Sequence, residues 1–414
     1  MRRKLLAGLA VLTAALCAIV GCAASPAGAG SPASGAAAVA PAAATSASTL
    51  LLQLNGVSCV SRTFCAAVGA EGNSALPAKG NAPLAMIWTG TRWRRTSVPK
   101  LKGWQQAALY GVSCRSGRYC VAVGSYNGVT GSHPMAETWN GKAWQAIALP
   151  RPVTGVSLGA GAVSCTAVGR CVATGITAMP SEADRPFIET LSGTRWTARN
   201  VPIPRGGTTA LIDAVDCVSA SYCVLAGTYN IKQPPGVLFE SWNGRVFTVL
   251  KAATPGAPDL AVNGVSCASA TDCVAVGVLE KPPLYAGTSF AERWNGRAWS
   301  VISQIGPQEP KNPKLFGLSC ASANWCVAAG LTSANGSLQT SHALAASYDG
   351  KTWEVASVPA PAGVGTTFTA VSCVSATDCV AVGDRGGPAS ALDSSVAFTS
   401  VWNGTTWKAV AAAV

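Results

Sequence analysis

The sequence predicts an all-β fold made of seven consecutive units. Hydrophobic residues make up 49% of the 414-residue chain, charged residues only 12%, and 44 Gly and 25 Pro supply many turns, a composition typical of turn-rich β-structure. A pair of cysteines six positions apart, followed by a tight turn between large apolar residues, recurs seven times at offsets of 50 to 55 residues. Because this period matches a four-stranded blade, we expect a seven-bladed β-propeller of four-stranded blades over residues 50–414.

The N-terminal segment predicts export from the cell. A basic stretch, MRRK, precedes the apolar run LLAGLAVLTAALCAIV, which is the arrangement of a secretory signal. The run ends in Ile19-Val20-Gly21-Cys22, which resembles the lipobox of bacterial lipoproteins, where the cysteine is acylated and becomes N-terminal. We therefore expect a lipoprotein signal peptide over residues 1–21, lipidation at Cys22, an uncharged Ala/Ser/Pro/Gly tether over residues 22–49 and attachment to the extracellular face of the cell membrane. Cleavage within CAASPAGAG would instead release a soluble secreted protein.

Fourteen of the sixteen cysteines form the repeated pairs, and the other two are Cys17 in the apolar run and Cys22. The pairs are Cys59 with Cys65, Cys114 with Cys120, Cys165 with Cys171, Cys217 with Cys223, Cys267 with Cys273, Cys320 with Cys326 and Cys373 with Cys379. Each pair flanks a short turn between two predicted strands, and facing residues of an antiparallel pair lie at disulfide distance, about 5.5 Å between Cα atoms. A metal site would need further ligands, yet the chain holds only two histidines and shows no CxxC or HxxxH spacing. We therefore predict one hairpin disulfide per blade, with no metal and no cofactor.

The second half of each unit is predicted to be a hairpin, as in AERWNGRAWSVI from Ala291. Asn-Gly is the strongest short hairpin signal because both central positions of its turn tolerate positive φ. Trp294 and Trp299 flank the turn in this unit, and eleven of the thirteen Trp residues occupy such positions. Three units replace one of the two Trp residues, by Leu191, Phe247 and Tyr348. An aromatic residue repeated at one position in nearly every unit favours packing within or between blades over an aromatic ligand site.

This unit resembles the kelch repeat, in which an apolar strand ending in Gly is followed by a loop, an aromatic-turn-Trp hairpin and often a Pro. The segments CVAAG, SYDG, KTW and VASVP of the sixth unit carry the likeness, which extends over nearly all of residues 50–414. Two features depart from kelch: one Gly stands in place of two, and the turn between the aromatic residues is shorter. The hairpin also resembles the Asp-box of sialidase-type propellers, one residue too short over residues 347–353, and the Cys-paired unit is similar to repeats in predicted secreted actinobacterial lipoproteins. These resemblances imply a β-propeller and bring no activity.

The candidate binding residues lie where the units differ. If the strands of a blade are named A to D in chain order, the A–B and C–D turns form one face, and the B–C loops and D–A connections form the opposite face. The B–C loops vary from unit to unit, and variable loops on a rigid scaffold are the usual place for binding. The candidate ligand-binding residues there are Trp104, in a D–A connection, and Tyr126, His133, Tyr229, Tyr285 and His342, in B–C loops. Each of them would alternatively serve local packing.

Two functions fit this face. One is a binding or scaffold module of the cell envelope with a glycan or protein ligand, and the other is a carbohydrate-active enzyme, a glycoside hydrolase or lyase. An enzyme would need an acid/base pair, and the predicted loops hold the carboxylates Glu71, Glu182, Asp184, Glu280, Asp384 and Asp393. Nothing in the sequence pairs two of them across a substrate. We therefore assign no catalytic residue and favour a binding role for a monomer.

The chain is basic, with 30 Lys and Arg against 18 Asp and Glu. After the first four positions no basic run exceeds two residues, so the excess is dispersed and nucleic-acid binding is not expected. Six of the seven C–D turns contain a basic residue: Arg92, Lys142, Arg195, Arg245, Arg297 and Lys351. They predict a partial basic ring opposite the B–C loops, suited to an anionic envelope surface. Alternatively, Lys and Arg merely suit an exposed turn and cover the nearby Trp with their alkyl stems.

Overall fold

The computed structural model describes residues 50–73, 80–129, 131–150, 156–178, 184–230, 235–253, 259–281, 286–305, 312–333, 340–361, 364–386 and 396–412. These residues belong to one compact unit that spans Thr49–Val414. The predicted signal peptide, Cys22 and the tether lie outside the described residues, as do Glu182, Tyr285, Asp393 and the side chain of Glu280.

The described residues form twenty-eight strands, four to a blade. Blade 1 contains β1 (Leu50–Ser61), β2 (Phe64–Asn73), β3 (Ala82–Trp88) and β4 (Trp93–Thr96); blade 2 contains β5 (Gln106–Ser116), β6 (Tyr119–Gly128), β7 (Gly131–Trp139) and β8 (Trp144–Ala148). Blade 3 contains β9 (Val156–Ala167), β10 (Arg170–Ala178), β11 (Arg185–Ser192) and β12 (Arg195–Asn200); blade 4 contains β13 (Thr209–Ser219), β14 (Tyr222–Asn230), β15 (Gly236–Trp242) and β16 (Phe247–Leu250). Blade 5 contains β17 (Asp259–Ser269), β18 (Asp272–Lys281), β19 (Ala286–Trp294) and β20 (Trp299–Ile305); blade 6 contains β21 (Lys314–Ser322), β22 (Trp325–Ser333), β23 (Ser341–Tyr348) and β24 (Trp353–Ala356). Blade 7 contains β25 (Thr366–Ser375), β26 (Asp378–Arg385), β27 (Val396–Trp402) and β28 (Trp407–Val410). Within the described ranges no helix is long and apolar enough to cross a membrane.

Each blade is a four-stranded antiparallel sheet built from one continuous segment of chain. Its strands A to D, such as β1 to β4, follow one another in sheet order. The A strands of neighbouring blades contact each other around the centre, including β25 of blade 7 against β1 of blade 1. Among the strands described, none crosses from one blade into the sheet of another. The predicted seven-bladed propeller of four-stranded blades is confirmed.

All seven predicted disulfides are present, one in each A–B hairpin. They join Cys59 to Cys65, Cys114 to Cys120, Cys165 to Cys171, Cys217 to Cys223, Cys267 to Cys273, Cys320 to Cys326 and Cys373 to Cys379. The two cysteines of each pair lie directly opposite each other in the strand register. The prediction of one hairpin disulfide per blade is therefore confirmed for every pair.

The spacing of the paired cysteines differs from the expected value. Their Cα atoms are 3.9–4.0 Å apart, nearer the spacing of a non-hydrogen-bonded antiparallel pair than the expected value of about 5.5 Å. The expectation was wrong in this respect because it used the spacing of a hydrogen-bonded pair. In a non-hydrogen-bonded pair the N–H of each residue points away from its partner, which leaves the N–H of the first cysteine available to another group.

That N–H group joins neighbouring blades. In every seam it donates a hydrogen bond to the side chain that precedes the first cysteine of the previous blade. The pairs are Cys114 to Ser58, Cys165 to Ser113, Cys217 to Ser164, Cys267 to Asp216, Cys320 to Ser266, Cys373 to Ser319 and Cys59 to Ser372, at 2.7–3.0 Å. Asp216 takes the place of serine in blade 4, and Ser372 closes the circle between the last blade and the first. Each of the seven seams therefore contains one hydrogen bond to the residue that precedes the first cysteine of a unit.

Strand B is apolar on both sides because a neighbouring blade covers each side. On β2, Ala66 and Val68 belong to the hydrophobic cluster between blades 1 and 2, whereas Ala67 belongs to the cluster between blades 7 and 1. Gly69, which ends this apolar run, lies where a Cβ atom would overlap the carbonyl oxygen of Gln53 on strand A. The small residues and the glycine of each segment such as CVAVG thus follow from close packing around the centre.

Candidate functional site

The propeller has two chemically different faces. The A–B and C–D turns form one of them, which we call the cystine face, and the B–C loops and D–A connections form the other, the loop face. On the cystine face the two turns of a blade touch: a Cβ atom on Gly141 would lie 3.1 Å from Cγ of Arg118. In the same C–D turn Asn140 Oδ1 accepts hydrogen bonds from the N–H groups of Lys142 and Ala143, and Gly141 has a φ of 94°. A tight turn is therefore present as predicted, but of the Asn-Gly pair only the glycine has a positive φ, and Asn140 instead caps the turn with its side chain.

The aromatic residues that flank the C–D turn have packing roles. Six blades contain an aromatic pair at these positions, with ring centroids 4.4–5.8 Å apart. The C-strand Trp also donates to its own A–B turn, as from Trp139 Nε1 to the Gly117 carbonyl at 3.1 Å. The D-strand Trp reaches the preceding blade, as from Trp144 Nε1 to Thr96 Oγ1 at 3.0 Å. The sequence-based interpretation of these residues as packing groups within and between blades is confirmed, which leaves ligand recognition to other side chains.

The four described ligand-binding candidates of the B–C loops lie on strands rather than in loops. The B and C strands continue past the glycine that closes the apolar run and stay in register, so Tyr126 on β6 lies directly opposite His133 on β7. Tyr229 lies near the end of β14, and His342 lies on β23. The expected loop positions were wrong because the apolar pattern that indicates a strand ends at the glycine, whereas the backbone pairing between strands B and C continues beyond it. Trp104 lies, as expected, in the D–A connection between β4 and β5.

Three of these residues come together on the loop face, between blades 1 and 2. The rings of Tyr126 and His133 have centroids 5.1 Å apart, and the Lys100 ammonium lies 5.1 Å from the centroid of the Trp104 ring, within cation–π range. Trp104 and Tyr126 line a shallow groove that is completed by Pro83, Pro99, Lys100, Leu101, Ala107 and Met135. We call this groove, together with His133, the blade 1–2 groove.

A turn in the D–A connection positions Trp104. Its N–H donates to the Leu101 carbonyl at 3.4 Å, and the next N–H, of Gln105, donates to the Asn127 carbonyl at the end of strand B at 2.8 Å. Gly103 adopts a φ of 81° within this turn. Lys100 and Lys102 are exposed there, whereas Trp104 is half-buried. The Trp104 side chain packs against the hydrophobic core between blades 1 and 2.

The connection between blades 3 and 4 folds in the same way but carries other side chains. Gly207 donates to the Pro204 carbonyl and Thr208 to the Asn230 carbonyl, each at 2.8 Å. Gly207 therefore occupies the position of Trp104, and Tyr229, two residues after the closing glycine of strand B, occupies that of Tyr126. Tyr229 faces Gly236 across the strands, where blade 2 has His133. Of these two equivalent places, only the blade 1–2 groove combines an aromatic pair with an imidazole and an ammonium group.

The remaining predicted residues do not join the groove. Tyr229 packs against the core between blades 3 and 4, and a Cβ atom on Gly236 would lie 2.9 Å from its ring. His342 is exposed in blade 6, opposite Thr332. The five candidates that the structure describes therefore separate into one cluster of three residues and two isolated positions.

The groove borders a charged pair on blade 1. Arg95 forms an ion pair with Glu71. Partial burial raises the pKa of Glu71 above its ordinary value, while the charges of Arg95 and Lys100 act in the opposite direction. Glu71 was predicted to lie in a loop, but it lies on β2, and its charge is engaged by Arg95. Among the described residues no group of three or more His, Cys, Asp and Glu side chains could hold a metal ion.

Four buried carboxylates were missed by the sequence analysis. Blades 2 to 5 carry a glutamate two residues before the C-strand position of the hairpin aromatic: Glu137, Glu189, Glu240 and Glu292, each with no exposed surface. The Ala253 N–H donates to Glu292 at 2.8 Å, whereas the carboxylate oxygens of the other three have no hydrogen-bond partner within the described part of the chain. Burial raises the pKa of Glu137 and Glu189 to about 8 and that of Glu240 to about 7. The repeated glutamate is present in the sequence as AETW, IETL, FESW and AERW, but a glutamate in a strand pattern does not by itself indicate burial.

These glutamates cannot act on a ligand because they lie in the interblade core. Ala173, opposite Glu189 on β10, and Leu191, two residues along β11, both belong to the hydrophobic cluster between blades 2 and 3. Asp384 was predicted to be a loop carboxylate and lies instead on β26, where it accepts a hydrogen bond from the Leu54 N–H of blade 1 at 3.2 Å. Burial raises the pKa of Asp384 to about 7. Asp184, the last residue before β11, is half-buried, and its pKa is raised for the same reason.

The chain is a seven-bladed propeller with one cystine per blade and an aromatic groove on its loop face. No protein-family model and no curated protein matches it. Among solved structures, it is similar to a polysaccharide lyase, an ulvan lyase bound to -[GlcA(1-4)Rha3S]-, at 10% identity over 88% of this chain and 96% of that chain, with a TM-score of 0.54. It is also similar to the BP39L lectin from Burkholderia pseudomallei, at 13% identity over 88% of this chain and 99% of that chain, with a TM-score of 0.54. A weaker likeness, with a TM-score of 0.44 and 11% identity over 87% and 89% of the two chains, relates it to Chaetomium thermophilum Sqt1 bound to the N-terminus of the ribosomal protein L10. At such identities these likenesses show the propeller fold alone.

Proposed function

We propose that this protein is a glycan-binding module of the cell envelope, and that the blade 1–2 groove holds the ligand. The observation that carries the proposal is the combination of a half-buried Trp104 under the Lys100 ammonium with the adjacent Tyr126 and His133 rings. These groups stand on a disulfide-stapled scaffold, and rigidity lowers the entropy that a binding site loses when it captures a ligand.

The groups of the groove suit a sugar. The face of an aromatic ring carries partial negative charge, which attracts the polarised C–H groups on the apolar side of a pyranose. The phenol of Tyr126 donates and accepts hydrogen bonds, as sugar hydroxyls require, and the buried His133 imidazole packs against the Tyr126 ring. Lys100 adds a cation that favours uronic acid or sulfated sugars. A shallow groove fits a chain that lies across the surface better than a small molecule that must be enclosed.

An enzyme acting on the same glycan is the second candidate. The observation that favours it is the contact between Tyr126 and His133, since a phenol and an imidazole are groups that transfer protons in catalysis. The buried glutamates give no support to this candidate because they have no exposed surface.

A glycan array probed with the full chain carrying Cys22→Ser tests the proposal. Trp104→Gly should lower the affinity for the bound glycan by about five- to thirtyfold, since stacking on an aromatic ring contributes on the order of 1–2 kcal/mol. This variant is expected to fold because Gly207 occupies the same position in the equivalent connection. His342→Ala, which changes an exposed residue of blade 6, is the control and should bind like wild type. Equal binding by Trp104→Gly, or no glycan bound by wild type, would exclude the groove, and turnover of a bound glycan would favour the enzyme.

We also infer, from the sequence of residues 1–49, that the protein is a lipoprotein acylated at Cys22 and held at the extracellular face of the membrane by a flexible tether. Export from the cell agrees with a disulfide in every blade, since such bonds persist in oxidising compartments. The kelch-like character of the repeat is inferred from the sequence resemblance alone.

A further inference from the structure

The cystine face carries most of its positive charge on one side. All six basic residues of the C–D turns are exposed: Arg92, Lys142, Arg195, Arg245, Arg297 and Lys351. The A–B turns add four more exposed basic residues, Arg62, Arg115, Arg118 and Arg170, all of them in blades 1 to 3. The expected basic ring is therefore uneven.

The carboxylates of these turns lie on the other side of the cystine face and increase the asymmetry of charge. The A–B and C–D turns of blades 1 to 3 hold seven basic residues and no carboxylate, whereas those of blades 5 to 7 hold two basic residues, Arg297 and Lys351, against Asp272, Asp349 and Asp378. Blade 4 contributes Arg245 alone. We call the seven residues of blades 1 to 3 the basic sector; they are Arg62, Arg92, Arg115, Arg118, Lys142, Arg170 and Arg195.

The turns that hold these residues form a continuous surface. Blades 1 and 2 meet where a Cβ atom on Gly117 would lie 3.4 Å from the ring of Phe64. Blades 2 and 3 meet where the Gly169 N–H donates to the Tyr119 hydroxyl at 2.9 Å. The cations of the three blades are thus presented side by side on one face.

Most of the sector is available for an external partner. Arg62 lies 3.3 Å from Asp378 across the seam between blades 7 and 1. For the other six residues, no ion pair forms with any carboxylate in the described part of the chain. Six adjacent unpaired cations repel one another, which costs stability unless an anion neutralises them.

Exposed aliphatic side chains lie beside the sector. Val168 is 68% exposed at the tip of the A–B turn of blade 3, and Val246 is 58% exposed in the C–D turn of blade 4. Arg170 and Arg245 are close to them in sequence. Cations interspersed with protruding apolar side chains are typical of surfaces that contact a membrane interface, where the charges meet lipid headgroups and the apolar groups enter the acyl boundary.

We propose that the basic sector, with Val168 and Val246, binds the surface of an anionic lipid bilayer. This site lies on the face opposite the blade 1–2 groove, so glycan binding and bilayer contact use different surfaces of the same propeller. A soluble polyanion would neutralise the cations equally well but would leave the two valines exposed. The bilayer accounts for both features.

Co-sedimentation with vesicles tests the proposal, using the chain from residue 23 to residue 414 so that neither acylation nor the apolar run of the predicted signal peptide contributes. Wild type should bind phosphatidylglycerol/phosphatidylcholine vesicles at low salt, bind pure phosphatidylcholine vesicles far less, and lose binding as salt shortens the screening length. The triple variant Arg92→Gln/Arg115→Gln/Arg195→Gln should bind about a hundredfold more weakly, from the usual contribution of each cation near an anionic surface.

A matched control removes the same charge elsewhere. Arg297→Gln/Lys351→Gln/Lys408→Gln lowers the net charge by the same three units in blades 5 to 7 and should bind within a few-fold of wild type. An equal loss of binding in both triple variants would mean that net charge alone drives binding, and the proposal that the basic sector is the binding site would be wrong. The proposal would also be wrong if wild type failed to bind anionic vesicles at low salt. Val168→Ser/Val246→Ser should weaken binding to vesicles severalfold while leaving binding to soluble polyphosphate unchanged. If it binds the vesicles as tightly as wild type, the partner is a polyanion and the bilayer proposal is wrong.

Discussion

Glu189→Gln should make the stability of the propeller less dependent on pH between about pH 5 and about pH 8. Glu189 has no exposed surface, its carboxylate oxygens have no partner among the described residues, and its neighbours Ala173 and Leu191 are part of an apolar core. Burial in that core raises the pKa of Glu189 from 4.5 to about 8, because ionisation there would leave a charge without water. At acidic and neutral pH the folded protein therefore holds this side chain protonated.

The sign and size of the effect follow from proton linkage. Between pH 4.5 and about pH 8 the folded state keeps the proton that the unfolded state releases, so the free energy of unfolding falls as pH rises through this window and levels off above it. One such group lowers the free energy of unfolding by about 3 kcal/mol between roughly pH 5 and pH 8. Glu137, Glu240, Asp213 and Asp384 act in the same direction, so the substitution should remove roughly one fifth of the combined pH dependence.

Urea unfolding, followed by Trp fluorescence with the disulfides intact, measures this difference at several pH values. At about pH 5 the neutral glutamine replaces a neutral acid of the same shape, and the two proteins should agree within about 1 kcal/mol. At about pH 8 the variant should be the more stable protein by about 3 kcal/mol. Glu354→Gln, which changes an exposed residue on β24, is the control and should follow wild type throughout. A variant that loses as much stability as wild type between the two pH values would refute the assignment of a buried, protonated Glu189.

Two further predictions concern the seams and the anchor. Ser113→Ala removes the acceptor of the Cys165 N–H and should lower the free energy of unfolding by about 1–2 kcal/mol. The control is Ser192→Ala, at an exposed position beside a C–D turn, which should change the free energy of unfolding by less than about 0.5 kcal/mol. Equal effects of the two variants in urea unfolding would show that the seam hydrogen bond contributes nothing specific. Cys22→Ser should move the protein from the membrane fraction to the soluble fraction, since two acyl chains are needed for stable attachment, and unchanged fractionation would contradict lipidation at this residue.

The blade architecture was predictable because its signals are local. A cysteine pair six residues apart and an Asn-Gly turn each specify a hairpin within a dozen residues, and repetition at a fixed period specifies how many hairpins stack. The blades, their disulfides and the packing role of the hairpin aromatics therefore followed from the sequence alone. The assignment of each turn to one of the two faces followed as well, since successive turns of an antiparallel sheet lie at opposite ends of the strands.

The site was predictable only in part because its geometry depends on contacts between blades. Tyr126 and His133 were recognised as candidates, but their pairing requires the strand ladder to continue beyond the closing glycine, and no turn signal reports this. Ser113 looked like an ordinary strand residue, since its partner is the backbone of the next blade. Glu189 looked exposed because glutamate usually is, and only the position of the neighbouring blade shows that it is buried. Long-range packing, rather than local propensity, decided each of these outcomes.

The hydrogen bond that Ser372 accepts from the Cys59 N–H gives the last seam the same serine–cysteine contact as five of the other six, the exception being the seam of Asp216. No strand among those described crosses between blades, so none of the described strands closes the circle by joining the sheet of another blade. Duplication or loss of one whole unit would leave every remaining serine facing a cysteine N–H, with its own cystine and its own hairpin intact. In such a chain the number of blades depends on how many copies of the unit are encoded and on the angle at which neighbouring blades pack. Unequal recombination between repeats can therefore yield new folded propellers without further changes at the seam where the circle closes.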